Sequence, residues 1–276
     1  MSAAVTLDLP PFETLATRVG DAAVLHLTLN RPEVRNAMSL RMVTELRLAL
    51  AAAEASGTVR VVVLRGAGGH FCAGGDIKDM AAARMKPQGS GEDATAHVNA
   101  QFGLLCAAFA RTPLALVAVL EGTVMGGGFG LACIADVALA GQSVAFRLPE
   151  VTLGVVPAQI APYLVERVGY SQAKRLAVSG ARLDASAALA MGLVHEVHAA
   201  GALDDALSRA VQAILQCAPG AVAETKRLMA MARFTPAVDL VDEAAAVFSR
   251  AVQGPEGIEG TTAFLQKRKP SWAPQG

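Results

Sequence analysis

Residues 125–133 read Met125-Gly126-Gly127-Gly128-Phe129-Gly130-Leu131-Ala132-Cys133, directly after the apolar run 114–120 and a Glu-Gly-Thr turn. Adjacent glycines let a backbone approach a ligand closely before a helix begins. The first amides of a helix lack intrahelical partners and favour negative charge. The stretch therefore predicts a site for a bound phosphate or for an oxyanion that forms during a reaction. A close-packed turn is the alternative. Dinucleotide binding is disfavoured, because Cys133 stands where that fingerprint needs its last glycine.

A second stretch, Phe71-Cys72-Ala73-Gly74-Gly75-Asp76-Ile77, follows the apolar strand predicted over 59–64. The chain enters this stretch through a Gly-Ala-Gly-Gly turn. Ligands of open α/β folds usually bind in the crevice at the carboxyl ends of the strands. Both glycine turns follow such strands, so we expect them to meet at one site.

Together the two stretches resemble the enoyl-CoA hydratase/isomerase (crotonase) family. Three further segments match that family's signatures in the family's order: Leu29-Asn30-Arg31-Pro32-Glu33-Val34-Arg35-Asn36-Ala37; Leu148-Pro149-Glu150 followed by Leu153-Gly154; and Phe264-Leu265-Gln266-Lys267-Arg268. The ordered set spans nearly the whole chain. The resemblance implies an α/β fold, a crotonase-like β/α spiral with a C-terminal helical region.

Under that resemblance, residues 1–200 form the spiral core and residues 201–276 form a C-terminal helical oligomerisation region. The family implies a homotrimer or a dimer of trimers. The residue pattern independently predicts a helix over 39–55 with Ser39 as its N-cap, further strands at 114–120 and 137–140, and helices in most of the chain after Ala161. The polar, glycine-punctuated segment 80–93 is predicted to be a mobile loop.

Composition sets limits on function without reference to any family. The chain has 276 residues, is 53% hydrophobic, and carries 24 Lys plus Arg against 24 Asp plus Glu. Its mean hydropathy of +0.41 suits a chain that covers apolar surface by oligomerising. The zero net charge disfavours nucleic-acid binding.

Cysteine usage and the N-terminal sequence predict a soluble cytoplasmic protein. The four cysteines are widely spaced without a C-x-x-C pair, which predicts reduced thiols and no structural metal. His195 and His198 would lie on opposite faces of a strand, so a metal pair is not expected. The N-terminus does not have the pattern of a signal peptide, and charged residues and prolines interrupt every long apolar run.

The predicted chemistry combines backbone amides with one carboxylate. If the amides of Ala73 and Gly127 converge, they form an oxyanion hole for a thioester oxygen, and one such donor is worth roughly 3–4 kcal/mol. Glu150 is the predicted acid/base. It lies in an apolar segment, where a carboxyl should have a raised pKa. A solvated loop carboxylate is the alternative interpretation of Glu150.

The chain departs from the usual hydratase pattern at Gly130, where typical family hydratases carry a second glutamate. Glu121 and Asp136 are the nearest other acids in sequence, but neither matches a family catalytic position. Some members with one glutamate are isomerases and others still hydrate. The leading prediction is an enoyl-CoA hydratase, a lyase. A Δ3,Δ2-enoyl-CoA isomerase is the first alternative, and a non-catalytic acyl-CoA-binding or RNA-associated protein is the second.

The absent side chain at Gly130 suggests a widened acyl pocket that would accept a substrate branched at Cβ, although a packing glycine is the alternative. The segment Pro157-Ala158-Gln159-Ile160-Ala161-Pro162 replaces the glycine-rich segment of straight-chain hydratases. Together with Gly-Gly-Gly-Phe-Gly it resembles isohexenylglutaconyl-CoA hydratases, enzymes of acyclic terpene breakdown. This resemblance implies a branched 2-enoyl-CoA substrate.

Coenzyme A requires cations for its phosphates and backbone groups for its adenine. It belongs to the substrate, so no separate cofactor is implied. By family position, the predicted substrate-binding residues are Arg35, Ala37, Gly74, Gly75, Asp76, Ile77, Lys78, Gly130 and Lys267, with Lys267 supplied by a neighbouring subunit. Each charged member taken alone could equally be an ordinary surface charge.

Overall fold

The computed structural model describes residues 7–20, 23–85 and 93–274. The strands of these residues are β1 (Leu15–Gly20), β2 (Val24–Leu29), β3 (Val61–Gly66), β4 (Ala115–Leu120), β5 (Thr123–Met125), β6 (Val137–Gly141), β7 (Ala145–Arg147), β8 (Arg182–Asp184) and β9 (Glu196–His198). They form two sheets, one in the order β1-β2-β3-β4-β6-β9 and one in the order β5-β7-β8.

Helices make up most of the remaining described chain. They are α1 (Leu40–Ala55), α2 (Ile77–Arg84), α3 (Ala94–Arg111), α4 (Gly127–Ile134), α5 (Ala161–Ser179), α6 (Ala185–Ala190), α7 (Leu203–Leu215), α8 (Pro219–Ala232), α9 (Val241–Gln253) and α10 (Pro255–Leu265). Short 3₁₀ turns cover Pro32–Val34, Ala67–Gly69, Glu150–Leu153 and Ala237–Leu240.

The large sheet is parallel from β2 to β9, and only β1 pairs antiparallel. Parallel strands are buried on both faces, which explains the continuous apolar runs of β3 and β4. The carboxyl end of β3 leads into the Ala73 turn. The carboxyl end of β4 leads into the glycine turn through β5. The topology therefore brings both turns to one end of the sheet.

Two hydrophobic clusters cover the two faces of this sheet. One contains residues of α1, α3 and α4, including Leu46, Phe109 and Phe129. The other packs α7 against β3 and β4 through Leu203 and Leu215. The first helix of the predicted C-terminal region is thus part of the packing of the sheet. The boundary at residue 200 and the oligomerisation role of residues 201–276 stay predictions.

Local signals predicted the long elements well. Ser39 caps α1, with its Oγ accepting from the Met42 amide at 3.2 Å. Helix α5 is kinked at Gly169, which has a φ of 75°.

Two sequence-based predictions need correction. Part of the segment predicted as a loop is helix α2, because the carboxylate of Asp76 caps it by accepting from the Lys78 amide at 2.9 Å. Residues 86–92 of that segment lie outside the described residues. The short strands β5, β7 and β8 were not predicted, because three residues carry too little periodicity to show alternation.

The two glycine turns pack so closely that Cys72 fills the space that a side chain on Gly128 would need. A methyl group on Gly128 would lie 2.6 Å from Cys72 Cβ and 2.7 Å from the Cys72 carbonyl oxygen. The Cys72 thiol is fully buried, and burial raises its pKa to about 12, which keeps it a neutral packing group. Gly128 is therefore required by packing rather than by its dihedral angles.

Gly128→Ala should destabilise the protein by about 1–3 kcal/mol, because the clash includes backbone that has nowhere to move. The matched control is Gly20→Ala, where the added methyl group meets nothing closer than 3.7 Å. This control should stay within about 0.5 kcal/mol of wild type. Urea denaturation at one protein concentration measures both variants. Equal stability of the two would contradict the packing described for Gly128.

Candidate active site

The glycine turn presents an unpaired amide at the start of α4. Gly126 has a φ of 49°, a left-handed conformation that favours glycine. Its amide donates to the Arg147 carbonyl at 3.2 Å, and its carbonyl accepts from the Gly130 amide at 3.1 Å. The Gly127 amide has no acceptor among the described residues. It is therefore available to a ligand.

The Ala73 turn lies against the glycine turn. The Cys72 amide donates to the Thr123 carbonyl at 3.0 Å, and the Cys72 carbonyl accepts from the Met125 amide at 2.9 Å. Two residues further, a Cβ on Gly74 would lie 3.2 Å from the Met125 carbonyl oxygen and 3.7 Å from Gly126 Cα. The structure thus brings together the two turns that the sequence predicted to meet.

The Ala73 amide, predicted as the second oxyanion donor, is not free in this structure. It donates to the Arg35 carbonyl at 3.0 Å. A backbone amide has one hydrogen, so a bond to a substrate oxygen would have to replace or share this bond. In this structure the Gly127 amide is free and the Ala73 amide is occupied, and the assignment of both as oxyanion donors stays a prediction.

A buried asparagine that sequence reasoning left without a role holds the Arg35 segment in place. Asn36 is fully buried with a φ of 56°. Its Oδ1 accepts from the Arg31 amide at 2.8 Å, and its Nδ2 donates to the carbonyls of Ala67 at 2.9 Å and His70 at 2.6 Å. The Nδ1 of His70 in turn accepts from the Thr123 amide at 3.1 Å. The signal available in the sequence was the place of this asparagine in segment 29–37, which resembles a family signature.

Glu150 lies over the glycine turn. Its Oε1 is 3.1 Å from the position that a Cβ on Gly126 would take. Its Oε2 is buried and has no hydrogen-bond partner among the described residues. Burial raises the pKa of this carboxyl. The predicted alternative, a solvated loop carboxylate, does not describe this environment.

Apolar side chains cover the face of α4 beside the free amide. A Cβ on Gly127 would lie 3.1 Å from both Met38 Cε and Phe102 Cζ. A Cβ on Gly130 would lie 2.2 Å from Ile160 Cγ2. The prediction that Gly130 widens the acyl pocket is wrong in this structure, because the Ile160 side chain fills the space that a residue 130 side chain would need. Gly130 is a packing glycine.

Among the residues predicted to bind coenzyme A, Asp76 makes contacts that stabilise the fold. Burial would raise its pKa, but its ion pair with Arg31 at 2.8 Å and the Lys78 amide lower the pKa below the usual value. Gly74 is buried and Ala37 half-buried, while Arg35, Gly75, Ile77 and Lys78 are exposed beside the turns. Lys267 follows α10 with an exposed side chain, and no hydrogen bond or ion pair in the described chain links it to the other predicted site residues.

The other acids considered from the sequence already have partners. Asp136 Oδ2 accepts from the Leu116 amide at 2.7 Å and from Lys226 Nζ at 2.6 Å. Glu121 pairs with Arg65 at 2.8 Å. Neither replaces a second catalytic carboxylate. A surface groove of about 530 Å³ between α7 and strands β1 to β3 contains none of the predicted site residues.

Within residues 7–20, 23–85 and 93–274, no group of three or more His, Cys, Asp or Glu side chains could hold a metal ion. No helix of the described chain is long and apolar enough to cross a membrane.

Comparison with known proteins decides the family. Residues 20–275 match the sequence profile of the enoyl-CoA hydratase/isomerase family. This protein belongs to that family. Membership confirms the predicted α/β crotonase fold, with two sheets and C-terminal helices, and gives enoyl-CoA hydratase/isomerase activity on acyl-CoA thioesters.

Two solved structures and one curated relative show how similar other members are. The chain resembles Pseudomonas aeruginosa AtuE at 51% identity with a TM-score of 0.90, covering 95% of this chain and 100% of the other. It resembles an enoyl-CoA hydratase/isomerase from Marinobacter aquaeolei at 49% identity and a TM-score of 0.91, covering 95% and 99%. It is 30% identical to 2,3-dehydroadipyl-CoA hydratase of Escherichia coli (strain K12), covering 90% and 94%.

The raised pKa of Glu150 predicts a pH-dependent cost to folding. A carboxyl whose folded pKa exceeds its unfolded pKa binds its proton more tightly when folded, so stability falls as pH rises above the unfolded value. Glu150→Gln should therefore raise the melting temperature at pH 7–8. The gain should vanish as the pH falls below about 4, where Glu150 is neutral in both states. Differential scanning calorimetry across pH measures this.

Glu45→Gln is a control of opposite sign. Burial would raise the pKa of Glu45, but bonds from the Thr14 hydroxyl and from the Glu13 and Thr14 amides lower it overall. This substitution should lower the melting temperature at neutral pH, and the difference should shrink in acid. If both variants shifted in the same direction at neutral pH, the environment assigned to Glu150 would be wrong.

Proposed function

We propose that this protein is an enoyl-CoA hydratase that adds water across the 2,3 double bond of a branched 2-enoyl-CoA, with Glu150 as its one acid/base. The observation that carries the proposal is the buried, unpaired Oε2 of Glu150 beside the glycine turn with its free Gly127 amide. A buried carboxyl with a raised pKa can both accept and return a proton near neutral pH. An oriented amide with no partner suits a developing oxyanion.

In the proposed reaction the thioester oxygen accepts from the Gly127 amide. Glu150 takes a proton from water as the hydroxyl adds to Cβ. The electron pair of the double bond then moves through Cα to the thioester oxygen, giving an enolate. The neutral Glu150 carboxyl returns its proton to Cα, which restores the thioester and the carboxylate. The Ala73 amide contributes as a second donor when its bond to the Arg35 carbonyl is exchanged for one to the enolate oxygen.

Hydration is favoured over the alternatives by the comparisons. The E. coli relative carries the name of a 2,3-dehydroadipyl-CoA hydratase. One observation favours a Δ3,Δ2-isomerase as the second candidate, namely that Ile160 occupies the place of a second carboxylate at residue 130. An isomerase needs only one group to move a proton between carbons. A non-catalytic acyl-CoA-binding role would leave the cost of burying Glu150 unexplained.

We propose a substrate of the isohexenylglutaconyl-CoA type, from acyclic terpene catabolism. Its support is the resemblance of residues 126–130 and 157–162 to hydratases of that substrate. The apolar surface formed by Met38, Phe102 and Ile160 beside Gly127 suits a hydrocarbon branch near Cβ. Arg35, Lys78 and a neighbouring subunit's Lys267 would bind the coenzyme A phosphates.

We also propose a homotrimer or a dimer of trimers. Large apolar side chains stand exposed on the C-terminal segments, including Phe234 at 81%, Phe248 at 71% and Phe264 at 82%. Exposed apolar surface of this kind marks protein interfaces. Sedimentation velocity at micromolar concentration should give a trimer or hexamer. Phe264→Glu should shift the distribution towards smaller species, whereas a monomeric wild-type protein would contradict the assembly.

Glu150→Gln should lower kcat by about 10²–10⁴-fold, because it keeps the size of the side chain but removes the proton acceptor. Affinity for a saturated acyl-CoA should stay within a few fold. Glu121→Gln is the matched control, because its carboxylate pairs with Arg65 rather than facing the glycine turn. It should keep most activity. Comparable losses in both variants would assign the acid/base elsewhere.

Isotopic water separates the two candidate reactions. Incubation of a branched 2-enoyl-CoA in H₂¹⁸O should give a 3-hydroxyacyl-CoA carrying the label. Shift of the double bond without ¹⁸O incorporation would instead support the isomerase.

A further inference from the structure

Two consecutive side chains lie against two helical glycines on either side of the candidate site. The Oε1 of Gln159 occupies the space above Gly103 of α3, 2.2 Å from the position a Cβ would take there. Ile160 Cγ2 occupies the equivalent space above Gly130 of α4, also at 2.2 Å. Neither glycine has a left-handed φ, so what requires glycine at both positions is the neighbouring side chain.

Ile160 lies on the helix face next to the free amide. Gly127 and Gly130 are one turn apart on α4, and positions with this spacing lie on one face, roughly 5–6 Å apart. Met38 and Phe102 cover the Gly127 end of this face, and Ile160 covers the Gly130 end. Met38 and Ile160 are themselves buried, so these side chains form an apolar wall along this face of α4. If the thioester oxygen accepts from the Gly127 amide, as in the proposed function, an acyl chain that runs along this wall reaches Ile160.

The position of Ile160 is also tied to Glu150. The Val155 amide donates to the Glu150 carbonyl at 3.0 Å, which closes the turn that leads from Glu150 to Ile160. Gln159 Nε2 donates to Asn99 Oδ1 on α3 at 2.6 Å, which holds the preceding residue. Ile160 itself is only 3% exposed. Ile160 is thus packed against α4, and the turn after Glu150 connects it to the proposed acid/base.

We infer that Ile160 is a specificity-determining residue that sets the size limit for the substituent at Cβ of the acyl chain, and that Gly130 is glycine to admit it. The inference rests on the proposed function for the orientation of the acyl chain. The size limit is then set by the Ile160 side chain, which lies outside α4. Open space at Gly130, as predicted from the sequence, does not set it. The ligand part it contacts is a hydrocarbon substituent, because the surface around it is apolar.

The test removes side-chain carbons at Ile160 and restores one carbon at Gly130. Wild type, Ile160→Ala, Ile160→Val and the double variant Ile160→Ala with Gly130→Ala are compared on 2-enoyl-CoAs whose Cβ substituent grows from hydrogen through methyl to butyl. Ile160→Ala should shift the kcat/KM profile towards larger substituents by at least about 10-fold, the typical effect of a methylene in an apolar pocket. Ile160→Val should shift it less. The double variant should move back towards the wild-type profile, because the added methyl group refills the space that Ile160 Cγ2 held, one of the three carbons that Ile160→Ala removes.

A purely structural role predicts a different pattern. Activity on every substituent would then fall by one common factor, and the profile of Ile160→Ala would stay parallel to wild type, which would overturn the inference. Dissociation constants for saturated acyl-CoAs with the same substituents, measured by calorimetry, give the same profile without turnover. If no 2-enoyl-CoA were converted, the proposed function would fail, while the calorimetric profile would still decide the role of Ile160.

Discussion

The contact between the two backbone turns is the constraint on which the rest of the site depends. Gly74 and Gly126 approach so closely that a side chain on Gly74 would press on the Met125 carbonyl, and Cys72 fills the space above Gly128. Parallel strands β3 and β4 end beside each other, so their following turns must share that space. Glycine at 74, 126 and 128 allows this approach, and Glu150 lies over Gly126 of the glycine turn.

This arrangement lowers stability, because it holds the carboxylate of Glu150 away from water. No cation pairs with Glu150 in the described residues, and one of its oxygens has no hydrogen-bond donor. Burial therefore favours its neutral form, and the protein is less stable at neutral pH than it would be with an uncharged residue there. Such a cost persists at sites where the perturbed group has a task. Under the proposed function, the environment that Glu150 needs for proton transfer is the one that lowers stability.

One of the two amides expected in the oxyanion hole already has an acceptor in the protein. Family signatures place Ala73 and Gly127 as equal donors, but the Arg35 carbonyl already accepts the Ala73 hydrogen. Asn36, with three hydrogen bonds to the surrounding backbone, holds that carbonyl segment in place. If Ala73 acts as the proposed oxyanion donor, ligand binding and the conformation of the Arg35 segment are linked through this one amide.

The sequence by itself determined the local features of the chain. Apolar runs predicted β3 and β4, Ser39 predicted the start of α1, and ordered motifs predicted the family and the candidate residues. These signals depend on neighbours in sequence, where spacing and propensity act directly. The filling of Gly130 by Ile160, the bond from Ala73 to Arg35 and the packing of α7 against the sheet were decided only by tertiary structure. Each joins residues far apart in the chain, and whether space beside a glycine is open or filled depends on which distant side chain folds into it.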